Sequence, residues 1–149
     1  MSLTRLLSDQ RARLAKLTQL LEQELQQLTT SDVDGETLAQ LAQRKQVLLN
    51  ELESKETLRR QVQSRLGYAV GLEGARAAAE EADCLEEWEA CLMATERTAR
   101  LNDLVGELLQ MRASHNQKML DFMHQIADKT LYNPSGRTGR QPGRVNTSA

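Results

Sequence analysis

The sequence predicts an all-α protein: an elongated antiparallel helical hairpin or bundle of three long helices, joined by a short helical connector and packed like a coiled coil. Three observations carry this expectation. Leucine supplies 25 of the 149 residues and recurs at helical spacing. Both prolines, Pro134 and Pro142, lie beyond residue 133, so no proline interrupts the chain ahead of them. Aromatic residues make up only 3% of the chain, so residues that strands favour are scarce. A chain of this length builds one modest core, and 1–132 is read as a single helical domain followed by a basic tail at 133–149.

The first helix is expected over about 3–30. Leu3, Leu7, Leu14, Leu17, Leu21 and Leu28 alternate steps of three and four, and Leu6, Leu20 and Leu25 widen the stripe. Gln10 and Glu24 occupy seam positions that an ideal dimeric zipper would fill with apolar residues, which favours a small bundle over a simple coiled coil. The cluster from Thr29 to Gly35 ends this helix, and Asp34 is placed to cap the next.

A second helix is expected over about 36–66, with Leu38, Leu41, Leu48, Leu52, Val62 and Leu66 on one face and Leu49 and Leu58 beside it. Lys45, Lys55 and Arg59 interrupt that face, and their charges are expected to reach water past packed methylenes. Gly67, Gly71 and Gly74 then mark a reversal. The connector, 67–83, has alanine and glutamate but few anchors, so either a short helix or a loosely packed connector is expected there.

Asp83 followed by Glu86 matches a capping box and opens the third long helix, about 84–129. Cys84 and Cys91 share a face but lie roughly 10 Å apart along the axis, beyond disulfide reach, and read as small buried hydrophobes. Trp88, the lone tryptophan, reads as a packing anchor. Leu101, Val105, Leu108, His115, Met119, Phe122 and Ile126 follow helical spacing, with Leu104, Met111 and Met123 alongside. At 1.5 Å per residue this helix is roughly 70 Å long, against roughly 40 Å and 45 Å for the first two, so neither can cover all of it. Pro134 ends it, and Arg137, Arg140 and Arg144 make the tail basic with no acid to balance them.

Composition narrows function. Charged residues are 27% with a net charge of -2, too balanced for a general nucleic-acid binder. No apolar stretch has signal-peptide or membrane-spanning length, so a cytoplasmic location without stable membrane insertion is expected. The acidic series Glu80, Glu81, Asp83, Glu86, Glu87 and Glu89 reads as a solvated helix start. Asp121 and His124 form a single carboxylate-x-x-His pair where di-iron bundles need two, and the glycines lack dinucleotide-loop spacing. His115 is read as packed or hydrogen-bonded. No enzyme activity, cofactor or metal is therefore expected.

What remains is a binding surface. Met111, Met119 and Met123 are flexible and polarizable, suited to accepting amphipathic helices of varied sequence. The candidate contact residues are Leu108, Met111, His115, Met119, Phe122, Met123, Ile126 and Tyr132. The alternative is a self-associating coiled-coil scaffold, in which a homodimer consumes the same stripe.

Several features together resemble the FlgN family of flagella synthesis proteins. They are Glu22 and Glu24 in a leucine-rich first helix, Lys45 in the second, the glycine-marked break, Trp88 ahead of a long helix, the stretch Leu101-Asn102-x-Leu104-Val105-Gly106 after Glu96, Asn116, and the closing Tyr132-Asn133-Pro134-Ser135-Gly136. The resemblance covers about residues 3 to 140; Val105 stands where the family often carries a second asparagine. It implies a flagellar type III export chaperone that holds hook-filament junction proteins by their amphipathic terminal helices, prevents premature assembly and delivers them for export. The flagellar export apparatus is then a further partner.

Overall fold

The computed structural model describes residues 2–132, with side chains through residue 129. The basic tail expected at 133–149 and the side chain of Tyr132 lie outside the described residues. Four helices and no strand occur among the described residues: α1 (Leu3–Thr29), α2 (Gly35–Arg65), α3 (Leu72–Glu81) and α4 (Leu85–Tyr132). They divide into two compact units, 2–106 and 107–132, with the division falling within α4.

In the first unit, α1 is the central packing element. Leu3, Leu7, Gln10, Leu14, Leu17, Leu21, Glu24 and Leu28 are all buried, an unbroken heptad seam, and Leu6 and Leu20 are buried beside it. Burying one such leucine contributes roughly 1.5–3 kcal/mol, so this stripe dominates the unit's cohesion. Ser2 caps α1 by accepting from the Arg5 amide at 3.2 Å. Asp34 caps α2, accepting from the Glu36 amide at 3.1 Å and the Thr37 hydroxyl at 2.7 Å. The Thr37 hydroxyl and then the backbone amides hold the Asp34 carboxyl below its ordinary range.

Side-chain pairs give the direction of α2. Asp9 meets Lys55, Arg13 meets Glu51 and Glu24 meets Lys45, so partners descend along α2 as they ascend along α1: the two helices are antiparallel. The start of α4 runs beside α1 in the same direction, with Arg11 to Glu87 at 2.9 Å and Thr18 to Thr98 at 3.1 Å.

The reversal after α2 lies at the glycines. Gly67 adopts φ +88°, and the Tyr68 amide donates to Gln63 O while the Gly67 amide donates to Ser64 O, closing α2 with a Schellman motif. Gly74 is required for a different reason: a Cβ there would overlap the Ala69 carbonyl oxygen.

Of the two alternatives for the connector, the short helix is the one that forms, and it is not loosely packed. Residues 72–81 form a packed helix whose Ala75, Ala78 and Ala79 enter the same core as Leu3, Leu7, Cys84, Trp88 and Cys91. Alanine looked like a lack of anchors in the sequence, but small side chains let α3 approach its neighbours closely. The expectation for Asp83 is corrected. It takes φ +58° and closes α3, with the Cys84 amide donating to Ala79 O and the Asp83 amide to Glu80 O. The cap carbonyl of α4 belongs instead to Cys84, which accepts from the Trp88 amide.

Candidate helix-binding surface

Two polar groups lie inside the first unit, both built from residues that interrupt the apolar seams. In the first, Arg59 donates Nε and Nη2 to Glu56 at 2.8 and 2.7 Å and Nη1 to Gln63 at 2.8 Å, and its guanidinium lies 5.0 Å from the Trp88 ring centroid. Gln10 donates to the same Glu56 at 3.1 Å. Burial alone would push the Glu56 carboxyl up, but hydrogen bonds from Arg59, Gln10 and Arg60 and the Arg59 charge outweigh it and hold the group at about 2. Burial first, and then the Glu56 charge, pushes the Cys91 thiol up, so Cys91 stays a protonated, buried side chain. Trp88 is 7% exposed and belongs to the core.

In the second group, Lys45 Nζ lies 3.1 Å from Oε1 of the buried Glu24 and 3.4 Å from Asn102 Oδ1. The Glu24 contact is off the hydrogen-bonding direction and is held by charge. One cation thus ties α1, α2 and α4 together, using three residues that the sequence presents far apart.

These groups correct the expectation that the α2 cations reach water. The side chains of Arg59 and Lys45 are only 8% and 16% exposed, and both are committed to partners inside the unit. The physical reason is that Glu24 on α1 lies in charge contact with Lys45, while Arg59 finds its acceptors, Glu56 and Gln63, one turn away on α2, with Gln10 of α1 donating to the same Glu56. A groove of about 520 Å³ opens above this interior, with Leu14, Leu17, Leu49, Leu52, Leu92 and Trp88 among its walls.

The second unit is one helical stretch with a different character. At 100° per residue, Leu108, Met111, His115, Met119, Phe122 and Ile126 fall within an arc of roughly 80°, with Met123 at its edge. Leu108 is half-buried, whereas Met111 is 66% and Phe122 56% exposed, and Met119, Met123 and Ile126 are exposed as well. His115 is exposed on this face, which corrects the packed half of the expectation that it is packed or hydrogen-bonded. Among the described residues of this unit there is one helix and hence no second layer to cover it. Lys118 and Lys129 border the stripe, while Asp121 and Asp128 occupy the far side, where Asp121 accepts from Gln117 at 3.0 Å. The Asp121 and His124 pair gathers no further ligand: among the described residues, no group of three or more His, Cys, Asp or Glu side chains could hold a metal ion. No described helix is long and apolar enough to cross a membrane.

The arrangement therefore offers a polar-locked helical unit and an exposed apolar stripe, and the described residues assemble no metal cradle. Sequence reasoning located the stripe residues by their spacing. It missed the two interior polar groups, although the signal was present: Gln10, Glu24, Lys45 and Arg59 each break a seam on one helix opposite a seam break on another.

Comparison with known proteins gives a consistent assignment. Residues 1–140 match the family described as FlgN protein. The chain is 26% identical over 136 residues to the Flagella synthesis protein FlgN of Escherichia coli strain K12, covering 91% of this chain and 89% of that protein. It is 29% identical over 122 residues to the Flagella synthesis protein FlgN of Salmonella typhimurium, covering 82% of this chain and 79% of that one. No solved structure matches the chain. With the family match spanning nearly all of its length, the chain belongs to the FlgN family.

Proposed function

We propose that this protein serves flagellum synthesis as a cytoplasmic type III export chaperone for hook-filament junction proteins. It binds an amphipathic terminal helix of the client on the stripe Leu108, Met111, His115, Met119, Phe122, Met123 and Ile126, with Tyr132 at its end. The carrying observation is the exposure of five large apolar side chains along one face of a single helical stretch. Leaving so much apolar surface in water is unfavourable unless a partner covers it, and an amphipathic helix presents the matching i, i+3, i+4, i+7 anchors.

In this reading the three long helices act as an antiparallel frame, and the stripe works by binding rather than turnover. Covering the client's own apolar face blocks its premature self-assembly, because the same face drives both contacts. The methionines suit the task, since an unbranched thioether adjusts to differing client side chains at little rotamer cost. Membership of a family whose characterised relatives are named flagella synthesis proteins supports the biological setting.

The test is a titration of the full chain with a purified junction protein. Met119→Glu combined with Phe122→Glu is expected to abolish binding and leave helical circular dichroism and thermal stability unchanged, because both side chains are exposed. Client binding that survives the double change would place the contact elsewhere. Sedimentation over a range of concentrations separates the scaffold reading, which requires a tight homodimer that the same double change dissociates.

A further inference from the structure

The turn between α2 and α3 has an inverted composition. It reads Leu66-Gly67-Tyr68-Ala69-Val70-Gly71-Leu72, where surface turns ordinarily carry Asn, Asp and Ser. From Thr57 to Leu72 there is no acidic residue, while Arg59, Arg60 and Arg65 fall in the same stretch. The aliphatic side chains are not folded inward: Val70 is 95% exposed, Leu72 65% and Leu66 58%.

This display is held by a rigid frame. The buried Gln63 side chain donates to both the Ala69 and Gly71 carbonyl oxygens, the Schellman bonds fix Gly67 and Tyr68, and Gly74 packs directly against the Ala69 backbone. Tyr68 turns back onto the core. The frame thus points Val70 into water, where it adds nothing to the stability of the unit. Arg59 is consumed in the interior, but the Arg60 side chain is 70% exposed even with its contact to Glu56, and Arg65 is exposed. A cleft of about 580 Å³, lined in part by Val70 and Leu72, presents Thr57, Arg60, Gln61 and Ser64, donors suited to a phosphate, and the Glu56 carboxylate in its wall is already engaged by Gln10, Arg59 and Arg60.

We propose that this turn is a peripheral docking tip for an anionic lipid surface, with Leu66, Val70 and Leu72 entering the boundary between headgroups and acyl chains and Arg60 and Arg65 resting on lipid phosphates. Charge decides for an anionic bilayer over an apolar protein groove, since Arg60 and Arg65 flank the exposed Leu66, Val70 and Leu72. Val70 and Leu72 help to line the cleft that carries Arg60, yet Val70 keeps 95% of its surface in water, and a fluid interface accepts such a knob without a preformed complement. The flanking arginines select anionic lipid, each basic group near such a surface being worth about 1 kcal/mol. The contact is interfacial and reversible, and it uses none of the residues of the client-binding stripe.

Vesicle flotation with the full chain tests it, using phosphatidylcholine vesicles with and without phosphatidylglycerol. The protein is expected to float only with the anionic vesicles. Val70→Asp with Leu72→Asp should remove that binding, and Arg60→Gln with Arg65→Gln should weaken it on the order of thirtyfold, while both variants keep the parental melting temperature. Failure of the parent chain to bind anionic vesicles overturns the proposal and leaves the tip to a protein partner. Binding that persists unchanged in both variants overturns it as well, and assigns lipid attraction to Arg137, Arg140 and Arg144 instead.

Discussion

Replacing Arg59 by alanine removes the centre of the larger interior polar group. Two charge-assisted hydrogen bonds to Glu56 and one to Gln63 disappear, together with the contact over Trp88. Hydrogen bonds to charged groups contribute about 1.5–3 kcal/mol each, and the cation–π contact about 1 kcal/mol. The Glu56 side chain is 34% exposed, so water replaces part of what it loses. The expected destabilisation is therefore about 3 kcal/mol rather than the full total, or a fall in melting temperature of roughly 6–12 °C for a chain of this size.

The pH dependence gives this prediction a signature that simple loss of packing lacks. Glu56 is held at about 2, below its ordinary 4.5. A carboxyl depressed by folding contributes stability that is fully present above the ordinary value and is lost as pH falls through the folded one. Discounted for solvent access, this share is about 2 kcal/mol. Without Arg59 the carboxyl returns toward 4.5, so the difference between the parent and Arg59→Ala should shrink as the pH falls from 4.5 toward 2. Urea titrations followed by circular dichroism at several pH values measure this directly. A difference below about 1 kcal/mol near neutrality, or one that stays constant across the acid range, would refute the account of Arg59 as the partner that holds Glu56 ionised.

The second interior group predicts strong coupling between two sites. Glu24→Leu alone leaves Lys45 without its buried counter-ion and should cost about 3 kcal/mol, whereas Glu24→Leu with Lys45→Met should recover most of that loss, a double-mutant cycle in urea giving the coupling energy. Gly74→Ala should destabilise by about 2 kcal/mol or more, because its Cβ meets the Ala69 backbone rather than a side chain able to yield; Gly106→Ala, with open space at its Cβ, should be neutral or slightly stabilising in the same melts.

Much of α1 was legible in the sequence because a heptad of leucines has a single way to face a neighbour. Leu3 through Leu28 lie where the repeat puts them, and Gln10 and Glu24 share their seam. The Gly67 break and the Asp34 cap were legible for the same kind of local reason: each depends on the conformational preference or hydrogen-bonding reach of one side chain. The errors occurred where local chemistry had two outlets. Asp83 can cap a helix or close one in a left-handed conformation, and the exit of α3 took it. Alanine can mean a weak helix or a close approach, and only the neighbours of Ala75, Ala78 and Ala79 decide which.

The sequence by itself determined that the chain is helical, where it must break, and which residues form an apolar stripe beyond residue 107. Periodicity and turn chemistry are local, and they survive without knowledge of any partner. Only the tertiary structure decided that Lys45 and Arg59 are interior cations rather than solvated ones, since that depends on Glu24 of α1 meeting Lys45 and on Gln10 of α1 and Trp88 of α4 closing over the Arg59–Glu56 pair. It also decided that Val70 is held out in water, because the frame that holds it is made from Gln63 and Gly74, on either side of the turn, and not from the turn alone.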